Sequence, residues 1–366
     1  MKFFLTAFTL FFIAFAPLTQ AQVGITAVPF LQIEPDSRAS GMGNTGVALA
    51  DNASAVFWNP GGLAFQRNNQ VSVTHSQWLP QFNADLFYDY LVGSFHFEDI
   101  GTFGAHVTFL NLGEQTRTDI NNNNLGRFNS YEFAAGVSYG YQLSENWGIG
   151  TGVRFIYSSL ADDFGEEGRD ISPGSSFGVD LATLYKSNPF TFAGNEASLN
   201  AGFNLSNIGP GVNYTDNGRK DPLPTVLRFG WAFTADLDQE GVHSLTLAND
   251  ISKIVARSDS TGADGAIEGI FNSFGTLERE TGRGIAELSV VQQFTVGTGL
   301  EYWYDGLFAV RGGYFFEDPN NGDRRFITVG AGIRYDFIGV NFSHIFTLEE
   351  EAPLANTTRF GLLLNF

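Results

Sequence analysis

The feature that most constrains this chain is a two-residue hydrophobic rhythm. It recurs in segments of about ten residues, with no long apolar run beyond the first few residues of the chain. In 147–157, Trp147, Ile149, Val153, Phe155 and Tyr157 share one parity, and Gly148, Gly150, Gly152 and Arg154 take the other. In 225–237, Leu227, Phe229, Trp231, Phe233, Ala235 and Leu237 oppose Arg228, Gly230, Thr234 and Asp236. In 327–337, Ile327, Val329, Ala331, Ile333, Tyr335 and Phe337 oppose Thr328, Gly330, Gly332, Arg334 and Asp336. Successive side chains of a strand point to opposite faces, so each segment reads as a strand with one apolar and one polar face. The rhythm also explains how a chain with 37 Phe has a mean hydropathy of only -0.05.

Strands of about ten residues match a tilted crossing of a bilayer. Their polar face is mostly Gly, Ser, Thr and Asn with a few charges, which suits a lumen. Strands are expected near 70–77, 86–97, 102–112, 129–143, 147–160, 175–186, 196–207, 224–237, 243–254, 288–304, 307–316, 325–336, 339–347 and 356–366. The links between them alternate between mostly short and mostly long. Short periplasmic turns and long extracellular loops produce that alternation. The fold class is therefore all-β, a transmembrane antiparallel β-barrel of about 14 strands over 70–366, the even number that single-chain outer-membrane barrels need. Phe366 lies on the apolar parity of the last strand, the terminal aromatic common in such barrels.

The leader agrees. Met1-Lys2, the apolar run Phe3 to Ala16 and the ending Thr19-Gln20-Ala21 form a signal peptide over 1–21, too short for a membrane-spanning helix. Zero Cys excludes disulfides, thiolate zinc sites and cysteine catalysis. A net charge of -19 argues against nucleic acid as a partner. Residues 22–69 do not alternate and are rich in Gly and Pro, so they are expected to form a compact plug in the lumen. Phe57, Trp58 and Leu63 need burial there. Glu34, Asp36, Arg38 and Asp51 have potential partners in the lumen-facing Glu132, Arg154, Asp180, Arg228, Glu301, Arg334 and Arg359.

This segment carries a family resemblance. Ile25-Thr26-Ala27-Val28-Pro29-Phe30-Leu31-Gln32-Ile33, then Asp36-Ser37-Arg38, Gly41-Met42-Gly43, Gly46-Val47-Ala48 and Trp58-Asn59-Pro60 resemble the start of PorV/PorQ proteins, a branch of the FadL-like barrels. Leu112-Gly113-Glu114 is also similar, whereas Gly61-Gly62-Leu63 departs from the family's more polar stretch. The resemblance implies a barrel of 14 strands with an N-terminal plug in the outer membrane, and no enzymatic activity. It marks Pro29, Phe30, Leu31, Asp36, Arg38, Gly41, Gly43, Trp58, Asn59 and Pro60 as plug residues. The implied partners are the type IX translocon, the sortase-like protease complex and the C-terminal signal domains of cargo, beside outer-membrane lipid and lipopolysaccharide.

Chemical motifs are few. Gly41-x-Gly43-x-x-Gly46 matches a dinucleotide fingerprint in form, but no βαβ unit surrounds it, so no cofactor is expected. The five His have no metal-ligand spacing, and no nucleophile elbow occurs. Asp162-Asp163, Glu166-Glu167 and Glu349-Glu350-Glu351 read as an acidic outer rim, or as sites bridging divalent cations. In 261–280, Ala266, Ile267, Ile270, Phe271, Phe274 and Leu277 recur near helical spacing. A short amphipathic helix in the longest loop is expected there, with Ile267, Ile270, Phe271 and Phe274 as a partner-docking face or as packing over the barrel mouth. Two functions remain: a shuttle that binds cargo signal domains, or a FadL-like uptake channel for hydrophobic small molecules. The second expects an apolar pocket near the plug and a lateral opening or kinked strand, with the Gly-rich stretches 147–152 and 297–299 as places for a kink.

Overall fold

The computed structural model describes residues 21–22, 26–82, 85–118, 121–160, 164–166, 169–215, 220–259, 262–281, 284–348 and 354–366. Most of the leader and the acidic residues Asp162, Asp163, Glu167, Glu349, Glu350 and Glu351 lie outside them. The main sheet is a fifteen-strand antiparallel meander. One member, Phe190–Phe192, only extends the foot of the strand after it. The other fourteen close on themselves: β1 (Gln70–Gln77), β2 (Phe87–Phe97), β3 (Gly101–Thr118), β4 (Asn124–Gln142), β5 (Trp147–Ser159), β6 (Gly174–Lys186), β7 (Asn195–Ile208), β8 (Val226–Asp236), β9 (His243–Ile254), β10 (Phe294–Tyr304), β11 (Phe308–Glu317), β12 (Phe326–Tyr335), β13 (Ile338–Thr347) and β14 (Thr358–Asn365).

Closure joins first strand to last, with Gln70 opposite Asn365 and Ser76 opposite Arg359. Below that ladder, Asn69 and the terminal Phe366 exchange backbone hydrogen bonds of 3.0 and 2.9 Å. Every strand thus has two neighbours, which abolishes the unpaired edge that hydrocarbon forbids. Outward rows are apolar and bounded by two aromatic girdles. Trp147–Tyr185 and Phe103–Tyr139 contacts mark the short-turn end, and Phe87–Phe109, Phe109–Tyr131 and Tyr131–Tyr157 contacts the long-loop end. By the rule that outer-membrane barrels keep short turns in the periplasm, the long-loop end faces outward from the cell.

Two strands exceed the expectation. β3 and β4 continue past a register shift between Asn111 and Glu114 and pair up to Thr118–Asn124. Gly113 sits there with φ +72°, and the described residues above it are mostly polar, Leu125 and Phe128 excepted. Lumen and lipid no longer impose an alternation above the rim, so periodicity could not mark this overhang. The Gly-rich stretches 147–152 and 297–299 do not kink. They pair continuously with β4 and β6, and with β9 and β11.

The hydrophobic core lies inside the barrel. Phe30, Leu31, Ile33, Val56, Phe57 and Trp58 pack with Tyr88, Tyr90, Leu110, Ala134 and Ile156 on the β2–β5 wall. Lumen-facing glycines let the backbone of this segment touch the wall. A Cβ on Gly313 would lie 2.1 Å from Gly43 N, one on Gly299 2.3 Å from Met42 O, and one on Gly150 2.1 Å from the Pro60 carbonyl carbon. The Gly313→Val variant is therefore expected to keep the barrel but displace residues 41–46, costing about 1–3 kcal/mol as an overpacked core does. Unchanged heat-modifiable migration together with faster proteolysis around 36–50 is the outcome expected; wild-type resistance to protease would refute the close-packing argument.

Candidate functional site

Residues 26–66 descend the lumen from the long-loop end, where Ala27 N donates to Pro222 O at 2.9 Å, to the foot of β1. Short helical turns carry them, each with a local cause. Pro29 starts the turn Pro29–Gln32 after Val28 at φ +47°. The Asp36 carboxylate accepts from Arg38 N and Ala39 N at 3.0 and 3.4 Å and so caps Ser37–Ser40. Burial pushes the Asp36 carboxyl up, against the pull of those N–H groups and of the Arg38 guanidinium. Asn59 accepts from Gly61 N at 3.0 Å, while Pro60 occupies the first position of the next turn.

Opposite the apolar contact with β2–β5, the segment meets a polar wall. Arg38 donates to both oxygens of Glu301 at 2.9 and 2.7 Å, and to Asp51 at 2.6 Å. Arg311 donates to the same Glu301 carboxylate at 2.6 Å. Glu301 is only 1% exposed, so two guanidiniums hold one carboxylate away from water. Asp250 accepts from Gly46 N and Val47 N at 2.7 and 2.9 Å. Thr328 accepts from Gly43 N at 2.9 Å, and Arg359 donates to Ser40 at 2.7 Å. Asn59 donates to Val47 O and Thr183 O, and Asn204 donates to Trp58 O.

All ten motif residues therefore sit in one luminal body, joined to the wall by backbone hydrogen bonds, a buried ion cluster and close packing. Gly41-x-Gly43-x-x-Gly46 is packed against the wall and the rest of the segment. Gly43 has φ +67° and touches the walls of β10 and β11, and Gly46 lies under the Trp58 ring, where a Cβ would come within 2.2 Å. Among the charges expected to face the lumen, Arg334 is exposed at the short-turn end, with its guanidinium over the Trp303 ring. Arg154 pairs with Asp180 and Glu132 accepts from Ser158, neither with the luminal segment. Sequence reading missed Asp250, Arg311, Thr328 and Asn204. Their shared signal is a polar side chain on the lumen parity of a strand, which also marks residues that hold nothing.

Above the luminal body lies a cavity of about 1400 Å³. Phe30, Ile33 and Glu34 line it from below, Trp78, Leu110 and Leu112 from one side, and Phe315, Phe326 and Ile345 from the other. The Phe315 and Phe326 rings stack 4.7 Å apart. Its cations include Arg228, Arg324 and Arg359, with the Glu34 carboxylate in electrostatic reach of all three. Glu317 and Arg324 pair at 2.6 Å on its rim. A hairpin, Leu277–Thr281 with Gly284–Leu288, lies beside the mouth and is tied across it by Arg279 to Asn321 at 2.9 Å. Leu277 thus belongs to a strand, not to the expected helix, which spans only Ala266–Asn272. Ile270 and Phe274 of that region are half-buried, whereas Ile267 and Phe271 are exposed. Among the described residues no group of His and carboxylates is placed to hold a metal ion.

A sequence model described as type IX secretion system protein PorV matches residues 17–260, more than half of the chain. No curated protein matches. Among solved structures, a TodX deltaS2S3 mutant monoaromatic hydrocarbon channel superposes with a TM-score of 0.52 at 13% identity, covering 90% of this chain and 97% of that one. The Pseudomonas putida toluene transporter TodX gives 0.49 at 13% identity, over 95% and 99%. A Pseudomonas aeruginosa FadL homologue gives 0.43 at 12%, over 94% and 97%. At such identity the likeness is one of fold alone.

The ion cluster makes a direct prediction. Glu301→Gln leaves Arg38 and Arg311 buried without their shared carboxylate and is expected to cost about 3–5 kcal/mol. The measurement is the temperature at which the folded band converts to the unfolded band on a semi-native gel. A conversion temperature equal to wild type would show that the cluster contributes no stability.

Proposed function

The chain belongs to the PorV family of type IX secretion system proteins, and from that membership we propose that it binds the C-terminal signal domain of exported cargo at the outer membrane. In this reading it receives cargo from the translocon and passes it to the sortase-like attachment complex. It is an outer-membrane barrel that acts as a secretion component rather than an enzyme. One observation supports a receptor over a conduit: the lumen holds residues 26–66, tied to β7, β9 and β10 by Asn204, Asp250 and the Glu301 cluster and packed on β2–β5 by its apolar residues. A polypeptide has no free course along that axis while the segment stays in place, so the segment acts as a plug and cargo is met at the long-loop end.

The surfaces for that meeting are the β3–β4 overhang and the hairpin Leu277–Leu288 beside the mouth. The overhang carries an exposed Glu114–Arg127 pair at 2.8 Å, and exposed charge steers encounter and register more than it adds affinity. Purified protein is expected to retain a cargo signal domain in a pull-down, and shortening 113–128 to a tight turn is expected to weaken that retention without unfolding the barrel. A deletion strain that releases cargo normally, or a signal domain that never binds, would defeat the reading.

The cavity favours a second reading, uptake of hydrophobic small molecules, because Phe30, Ile33, Trp78 and Leu110 give it an apolar side. That reading predicts slower entry of long-chain or aromatic substrates in a deletion strain. Unchanged uptake would count against it.

A further inference from the structure

The longest loop, 255–293, contains the short helix Ala266–Asn272, whose one apolar face is extended by Phe274 just past its end. Ile270 and Phe274 are half-buried, and the Phe274 ring lies 5.6 Å from the Lys253 ammonium. At the uncovered edge of the same face Ile267 is 60% exposed and Phe271 68% exposed, one helical turn apart. Val291, just before β10, is 80% exposed. These values exceed the exposure of Ile251, Phe229 and Leu247 on the lipid-facing rows below, at 41%, 54% and 36%. An apolar face that the barrel covers along only one edge needs a further apolar environment for the rest.

Lys253 shows where this loop lies. It follows Leu247, Asn249 and Ile251 on the outward row of β9, opposite Leu227 and Phe294 on the outward rows of β8 and β10. An outward lysine at the rim should be solvated, yet Lys253 is 2% exposed. Its ammonium donates to Gln293 Oε1 at 2.6 Å, and Gln293 in turn donates to Gly275 O at 2.8 Å. At Lys253 the loop therefore crosses the rim from the outward row, with Phe274 over it, while Leu277 and Arg279 further along line the cavity mouth.

We propose that Ile267, Phe271 and Val291 form a lipid-contact surface, seated at the boundary between head groups and acyl chains of the outer leaflet. The argument is continuity with the lipid-facing wall of β8–β10, together with an apolar side chain set that the barrel itself does not cover. An interfacial apolar face of this kind enters to about 5–10 Å below the head groups. The surface is thereby withdrawn from cargo binding, which leaves the mouth hairpin and the overhang for that role. It holds the loop at a fixed height and angle beside the mouth.

The chain has no Cys, so one introduced thiol can be labelled alone. Ile267→Cys and Phe271→Cys, each carrying a nitrobenzoxadiazole fluorophore, are reconstituted in phosphatidylcholine vesicles doped with nitroxide lipids. Glu114→Cys on the overhang serves as the aqueous reference, and heat-modifiable migration verifies folding of each variant. The expected result is blue-shifted emission at 267 and 271, with greater loss of intensity from a nitroxide near the head group than from one at the chain end. Emission and quenching equal to the Glu114→Cys reference at both positions would overturn the proposal. So would probes that escape lipid quenching and are shielded from aqueous iodide only when a cargo signal domain is added.

Discussion

A backbone N–H or C=O facing hydrocarbon must find its partner within the protein. That constraint underlies everything else in this structure. It forces fourteen strands to close, sets β1 against β14, and uses Asn69 and Phe366 to extend the seam past the last ladder pair. Closure then creates a lumen whose contents the protein must supply. The chain supplies its own residues 26–66, and the two halves of the lumen receive them differently. β2–β5 offer an apolar wall; β9–β14 offer Asp250, Glu301, Arg311, Thr328 and Arg359.

The polar half is where energy is at stake. A carboxylate 1% exposed would be costly alone, and Glu301 is tolerable because Arg38 and Arg311 both donate to it. The arrangement couples a residue near the chain's start to two distant strands, so the luminal segment and the wall specify each other. Glycine does the complementary work. Where backbone must approach backbone, as Gly43 does to β10 and β11, a side chain on either partner would push them apart. The same glycines that resemble a nucleotide loop on paper are contact points in a packed interior.

The fold was largely legible because membrane and lumen impose opposite chemistries on alternate residues. β1, β2, β5, β9 and β13 fall within a residue or two of their expected limits. Legibility failed where that double solvent ends. The β3–β4 overhang has water on both faces, so Glu114–Thr118 and Asn124–Phe128 show no rhythm despite being paired strand. In the long loop, Ala266 to Leu277 carries a helical spacing that only the first seven residues obey, because Leu277 packs against Leu288 in a hairpin instead.

The sequence by itself determined the barrel, its approximate strand number and the resemblance of residues 25–65 to one family. Those properties are written in local alternation, link length and short motifs. It did not determine which charges meet. Arg38 with Glu301 and Arg311, Asp250 with the Gly46 and Val47 amides, and Lys253 beneath Phe274 join residues far apart in the chain. Only the closed tertiary structure decides such meetings, because a lumen-facing parity places a side chain inside without saying which side of the ring it faces, or what it finds there.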